Sequence, residues 1–296
     1  MKVIIMTGAT SGIGAEAVKH FAEQPDTLTV TGTRGSGRLV PQGTEVFPLD
    51  LSSLKSVRSF ADAVKQRLGN TPIDILVLNA GARFKNNLQR SEDGFEMTFA
   101  TNHLSHYLLA RLLMPNMAKG GKCVITTSDT HDPAIFPLAP KTLDTKELAH
   151  PTKSSFGQGL RTYAASKLCN LLTARAFASL ELVKERGISM IAYNPGLTGG
   201  TTLGKPSPVK RVLMSVVFRL IGVFRPSFFM STPECSGEAL AELALGKITL
   251  PTGRVYASLV KGKITFPDPA LLAQNNDTKD VLWRDSAAMV GLPEQV

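Results

Sequence analysis

The sequence predicts an α/β fold: a Rossmann-like, doubly wound parallel sheet with helices on both faces. Three observations carry this. A short apolar run, Val3 to Met6, passes straight into a glycine-rich turn and then a helical pattern, the way a parallel α/β sheet begins. Strand-length apolar runs then alternate with longer helix-period segments. The polar clusters fall just after the predicted strands or on the helices that follow, where open α/β sheets bind ligands.

Element by element, the strand Val3 to Met6 is followed by a helix from Ile13 to Glu23. Strands are expected at Thr27 to Thr33, Glu45 to Pro48, Ile73 to Leu78, Lys122 to Thr127 and Ile188 to Tyr193. Helices are expected at Leu54 to Leu68, Glu96 to Ala118 and Arg161 to Glu185, the last from its Ala and Leu content and its apolar continuation through Phe177. The Gly/Ser/Pro-rich stretches Arg34 to Gly43 and Pro195 to Pro208 are short and lie between apolar periodic segments, as loops within a domain do.

With 296 residues, 43% hydrophobic and 19% charged, the chain can bury one large core. No stretch reads as a linker, and one domain over residues 1–296 is expected. Residues 1–127 would form mainly its cofactor-binding half and 128–203 its catalytic half, with a substrate lid at 204–230 and a substrate-side extension at 231–296. The net charge of +9 is scattered, and four Tyr and one Trp supply few stacking platforms, so nucleic acid is not an expected partner. Cys123, Cys169 and Cys235 match no metal spacing, and their odd number does not suggest a disulfide framework. A reducing, cytoplasmic location is the simpler inference, since the first strand leaves no room for a signal peptide and no apolar run is long enough to span a bilayer. No metal is expected: His103 and His106 have no carboxylate at ligand spacing.

Thr7 to Gly14 read Thr-Gly-Ala-Thr-Ser-Gly-Ile-Gly. Gly8 permits a tight turn, Gly12 lets backbone approach a pyrophosphate, and Gly14 allows close helix packing. The start of the helix that follows favours an anion. The second strand ends at Thr33-Arg34 without the Asp or Glu that holds the ribose 2′-hydroxyl of NAD, and Arg34 can meet a 2′-phosphate. NADP(H) is therefore expected in preference to NAD, with Arg38 either a second contact or a solvated loop arginine. Asp50 is placed either to cap the next helix or to accept a hydrogen bond from an adenine amino group.

Tyr163 and Lys167 are four residues apart on one helix and leave the same face. A phenol with a reference pKa near ~10 is a poor acid or base unless a cation stabilises its phenolate, and Lys167 is placed to be that cation. The same spacing also suits an ordinary helix surface.

Taken in order, Thr-Gly-x-x-x-Gly-x-Gly at 7–14, Asp50-Leu51, Asn79-Ala80-Gly81, Asn102, Ser128, Tyr163-x-x-x-Lys167 and Asn194-Pro195-Gly196 resemble the short-chain dehydrogenase/reductase family. The resemblance covers residues 1 to about 203. It implies hydride transfer with a nicotinamide cofactor, with Tyr163 as general acid or base, Lys167 lowering its pKa and holding the nicotinamide ribose, and Ser128 hydrogen-bonding the substrate carbonyl. Asn102 would hold a water linking Lys167 to solvent, although a helix-interior Asn with a purely structural role is an alternative. It further implies cofactor contacts from Gly8, Thr10, Ser11, Gly12, Ile13, Gly14, Asp50, Leu51, Asn79, Ala80, Gly81, Pro195 and Gly196. The family's usual Pro-Gly-x-Val-x-Thr is altered here, which leaves open whether Thr198, Thr201 or neither meets the carboxamide.

The long insertion from Asp129 to Gly159, together with Thr-Asn-His-Leu-Ser-His-Tyr-Leu-Leu and Ser-Lys-Leu-Cys-Asn, looks like the subgroup of retinol dehydrogenases and protochlorophyllide reductase. In the latter a cysteine follows the Pro-Gly turn, whereas here Leu197 does. His131 is close enough in sequence to Ser128 to touch a substrate. The apolar segment Val209 to Met230 reads as a lid over a lipophilic pocket, against the alternatives of core packing or a basic amphipathic helix on a membrane surface. The expected function is NADP(H)-dependent interconversion of a carbonyl and an alcohol on a hydrophobic small molecule. A non-catalytic NADP sensor and a protochlorophyllide reductase-like C=C reductase are the alternatives. Assembly as a homodimer or homotetramer through the two long central helices is one further implication, which a bulky C-terminal region would prevent.

Overall fold

The structure, a computed structural model, describes residues 1–35, 39–199 and 230–295. Among them, eight strands form one sheet: β1 (Lys2–Thr7), β2 (Thr27–Thr33), β3 (Thr44–Pro48), β4 (Ile73–Leu78), β5 (Met117–Thr126), β6 (Ser189–Asn194), β7 (Tyr256–Val260) and β8 (Lys263–Thr265). Their spatial order is β3-β2-β1-β4-β5-β6-β7-β8. Every pairing from β3 to β7 is parallel; β7 and β8 pair antiparallel as an edge hairpin. The order reverses between β1 and β4, which opens a crevice at the carboxyl ends of the strands.

The helices are α1 (Gly12–Ala22), α2 (Leu54–Leu68), α3 (Met97–Phe99), α4 (Ser105–Leu113), α5 (Thr145–Ala149), α6 (Gln158–Ser179), α7 (Glu181–Glu185), α8 (Pro233–Leu245), α9 (Leu271–Gln274) and α10 (Asn276–Met289). Alternation along β1 divides the core. Val3 and Ile5 face a cluster built with α2, α4 and α6, while Ile4 and Met6 face a second cluster with α1 and α8. Both faces of the central strands β1 and β4 are covered, which is why these two read as largely apolar runs.

Two expected helices are interrupted. The Glu96 to Ala118 segment forms α3, a π-helical turn at Ala100–Leu104 and α4, then closes in a short 3-10 turn containing Pro115, after which β5 already begins at Met117. Pro115 cannot donate to a helix and disfavours helical geometry in the residue before it. The Arg161 to Glu185 segment breaks at Leu180, whose φ of −70° and ψ of 140° are extended. Arg38, Thr201 and all of the expected lid except Met230 lie outside the described residues.

Candidate active site

A cleft of about 630 Å³ runs along the carboxyl ends of β1 to β6. Of the residues expected from sequence, Gly8, Thr10, Ser11, Gly12, Ile13, Gly14, Arg34, Asp50, Leu51, Asn79, Ala80, Gly81, Ser128, Tyr163, Lys167, Pro195, Gly196 and Thr198 all line it. Asn102 lies one layer behind.

At one end the glycine-rich turn is fixed by contacts that a side chain would destroy. Gly8 has φ +74°, and a Cβ there would meet Ala80 Cα at 2.7 Å; a Cβ on Gly14 would fall 1.9 Å from the Gly8 carbonyl oxygen and 2.6 Å from Asn79 Nδ2. Gly14 therefore packs helix against loop as well as against strand. Thr7 Oγ1 accepts the N–H groups of Asn79 and Ala80, each at 3.1 Å, and pairs with His106 Nε2 at 2.9 Å. Asn79 Nδ2 donates to Gly8 O (3.3 Å) and its Oδ1 accepts from Thr126 Oγ1 (3.1 Å), so one amide fastens the ends of three strands together. The start of α1 has no side-chain cap from Ser11, leaving N–H groups directed at the cleft that suit an anion. With glycine cradle, uncapped helix start and Arg34 on the same wall, these residues fit a phosphorylated dinucleotide.

Asp50 does not cap α2. Ser53 does, accepting from Ser56 N, while Asp50 Oδ1 accepts from the N–H and hydroxyl of Ser52 at 2.9 and 2.8 Å. Thr198 Oγ1 is tied to Ser236 Oγ (2.9 Å) and to the Pro195 carbonyl (3.2 Å), which anchors the loop after β6 to α8.

At the other end Ser128, extended at the tip of β5, faces α6. The Lys167 ammonium stands 5.7 Å from the centre of the Tyr163 ring and donates to Thr126 O at 3.1 Å. Burial lowers Lys167 to about 8. Tyr163 is pushed up to about 12, chiefly by burial and then by the Asp129 carboxylate; Arg83 and the adjoining Ser128 hydroxyl act the other way. Lys167 is not among the groups that shift Tyr163, so the expected lowering by its ammonium is not seen in this arrangement.

Asn102 sits in the π-helical turn, fully buried. Its Oδ1 accepts from Ala82 N (2.8 Å), and its Nδ2 donates to Ala82 O (2.9 Å) and Ser166 Oγ (3.0 Å). Its backbone carbonyl accepts from His106 Nδ1 at 3.1 Å. The side chain thus clasps the loop after β4 to α6. His131 directs Nδ1 to Ser128 O (2.5 Å) and Nε2 towards Ala270 N (3.5 Å), so its ring is engaged in the protein frame. Ala82, Phe84, Met97, Thr101 and Asp129 also line the cleft without having been singled out in the sequence. For Asp129 a signal existed, since it directly follows Ser128. Among the described residues, no three His, Cys, Asp or Glu side chains are grouped to hold a metal ion.

The short chain dehydrogenase family model matches residues 2–135. The chain is 30% identical to protochlorophyllide reductase A, chloroplastic, of Hordeum vulgare, over 98% of this chain and 80% of that one. It is 29% identical to short-chain dehydrogenase iccH of Talaromyces variabilis, over 96% and 94%. Among solved structures, an uncharacterised protein from Mycobacterium paratuberculosis superposes with a TM-score of 0.69 at 22% identity over 100% and 96% of the two chains. A Burkholderia cenocepacia short chain dehydrogenase in complex with NADP gives 0.60 at 20% identity over 82% and 90%.

Proposed function

Because the chain belongs to the short-chain dehydrogenase family, we propose that this oxidoreductase uses NADP(H) to interconvert a carbonyl and an alcohol on a hydrophobic small molecule, with Tyr163 as general acid and base. The observation that carries this is the meeting of Ser128, Tyr163 and Lys167 in one cleft with the glycine cradle and Arg34. Arg34, at the end of β2 where no carboxylate stands, would pair a 2′-phosphate. The Gly8 to Gly14 turn and the start of α1 would hold the pyrophosphate, and Lys167 the nicotinamide ribose. When bound, the dinucleotide supplies the hydride that the carbonyl carbon receives.

In reduction the Ser128 hydroxyl donates to the carbonyl oxygen and steadies the charge gathering there. Tyr163 gives its phenolic proton to that oxygen, making the alcohol, and the ammonium of Lys167 beside the ring stabilises the phenolate left behind. In oxidation the same groups act in reverse. A half-buried phenol held near 12 is a reluctant acid, so bringing positive charge nearer to Tyr163 is the main electrostatic task of the assembled site. Asn102 acts as a clasp that positions Ala82 and α6. A cytoplasmic, reducing setting accords with Cys123, Cys169 and Cys235 standing as free thiols.

A second reading, reduction of a carbon–carbon double bond, is favoured by the similarity to barley protochlorophyllide reductase; Leu197 beside the Pro195-Gly196 turn weighs against it. A panel of aldehydes, ketones, quinones and α,β-unsaturated ketones with NADPH, and of alcohols with NADP+, followed by NADPH absorbance, tests both readings. Tyr163→Phe should retain NADPH binding and lose at least ~100-fold in kcat. Silence in both directions with every carbonyl and alcohol rejects the carbonyl reading, and turnover confined to conjugated C=C bonds replaces it with the second.

A further inference from the structure

Asp129 is an ionisable cleft residue to which the carbonyl chemistry gives no task. It follows Ser128 directly, is half-buried, and lines the same wall. Ser128 Oγ donates to Asp129 Oδ1 at 3.3 Å and accepts the N–H of Thr130 at 3.3 Å. A serine hydroxyl owns one proton. Tyr163 also shares a hydrogen bond with this hydroxyl; with Asp129 ionised, the carboxylate draws the proton, and Ser128 turns a lone pair towards Tyr163 and the cleft. A carbonyl oxygen that is gaining negative charge needs a donor there. A protonated Asp129 reverses the bond: its O–H donates to Ser128 Oγ, and the serine proton turns towards the substrate.

We propose that Asp129 is a positioning residue that sets the hydrogen-bond polarity of Ser128, so that carbonyl reduction is fastest when the Asp129 carboxyl carries its proton. This rests on the reading of the chain as a Tyr163-dependent reductase. No proton leaves Asp129 in the reaction; the proton on the product oxygen comes from Tyr163.

Among the described residues, the ionisable groups around the carboxyl are few. Asp132 lies on its own turn and repels the ionised form. Tyr163 of α6 and Tyr256 of β7 both feel the Asp129 charge and are raised by it and by burial. Arg83 acts on Tyr163, and the His131 ring is held towards Ser128 O and Ala270 N. Burial raises Asp129 to about 6, against hydrogen bonds from Ser128 and nearby backbone N–H groups. The carboxyl is therefore protonated below that pH and ionised above it.

Asp129→Asn keeps a donor aimed at Ser128 Oγ at every pH. The test measures kcat and KM for NADPH-driven reduction of 4-nitrobenzaldehyde, and of the best carbonyl in the panel, between about pH 5 and pH 8.5 in wild type, D129N and D129A. Wild-type kcat should fall roughly tenfold as pH rises through the Asp129 range, with KM little changed. D129N should lack that fall and exceed wild type roughly tenfold at about pH 7.5. A change near 8 shared by all three belongs to Lys167. A D129N enzyme that keeps the fall, or is slower than wild type at every pH, overturns the proposal.

A second readout needs no turnover. With tyrosine 13C-labelled at Cζ, the Tyr163 resonance, assigned through Tyr163→Phe, should inflect near pH 6 in wild type and not in D129N or D129A. Absence of the wild-type inflection removes Asp129 from the site whatever the kinetics. An intact inflection with no carbonyl turned over rejects the reductase reading instead, and with it the kinetic consequence of Asp129.

Discussion

At the scale of single residues, the site holds charge away from water, and Lys167 shows what that costs. It is almost fully buried, with no carboxylate hydrogen-bonded to it among the described residues, and donates to the Thr126 carbonyl. That carbonyl also accepts from Asn170 Nδ2 at 3.1 Å, so removing the ammonium strands no acceptor. The lysine is lowered from 10.5 to about 8, so between those values the unfolded chain binds the proton and the folded chain does not. Stability then rises with pH across this window, and below about 8 the folded state bears the full penalty. Lys167→Met should therefore be more stable than wild type at pH 7, by on the order of 3 kcal/mol, while losing activity. The gain should shrink as pH rises from about 8 to about 10.5. Urea denaturation of both chains at pH 7 and pH 10 checks this; a variant that is less stable at pH 7 would show that the ammonium is held by more than one carbonyl. Residue types and spacing made Tyr163 and Lys167 legible in the sequence, and the family resemblance added Ser128. Asp129 was legible only as the neighbour of Ser128; its contact with the serine hydroxyl depends on the 3-10 turn Asp129–His131, capped by Ser128, that brings the carboxylate back.

At the scale of elements, the sequence pattern defined β2, β4 and α2 to the residue, since each is bounded by turn residues and packs into the core. It failed where tertiary contacts override periodicity. The π-helical turn at Ala100–Leu104 shifts Asn102 into reach of Ala82 and Ser166, and no local sequence signal announces an extra residue in a turn. Likewise α9 and α10 could be foreseen only as an extension, although α10 proves to be a structural partner of the central helices. The Trp283 ring packs edge-on against Tyr107 and Phe177, both at 5.0 Å, under the Arg111 guanidinium at 4.9 Å. Ser286 bonds His103 Nε2 at 2.8 Å, and Arg111 reaches the carbonyls of Pro293 and Gln295. Trp283→Ala removes the centre of this cluster and should cost about 3 kcal/mol. Trp283 does not line the cleft, so NADPH affinity at low temperature should be unchanged. Equilibrium denaturation with a parallel NADPH titration checks both halves, and a loss of affinity without loss of stability would mean that α10 serves the site.

At the scale of the whole molecule, the same packing bears on assembly. Pairing of two copies through the central helices requires the outer faces of α4 and α6 to be open. Here α10 lies on α6, with rings from α4, α6 and α10 interlocked, and α9 is fastened to α6 as Arg175 donates to Ala273 O at 2.8 Å. An incoming copy would have to displace a helix that already buries the apolar surface in question, so the association would gain no new apolar burial there and would lose the ordered C-terminal contacts. The net charge of +9 adds repulsion between copies at low salt. The chain should therefore sediment as a monomer of 31.7 kDa at about 10 μM, on the scale where weak interfaces dissociate. Trp283→Ala, which loosens α10, should be the variant that begins to self-associate, with a sedimentation coefficient rising with concentration. Sedimentation velocity on both chains decides it: a stable wild-type dimer whose formation Trp283→Ala abolishes would mean that α10 builds the interface rather than covering it.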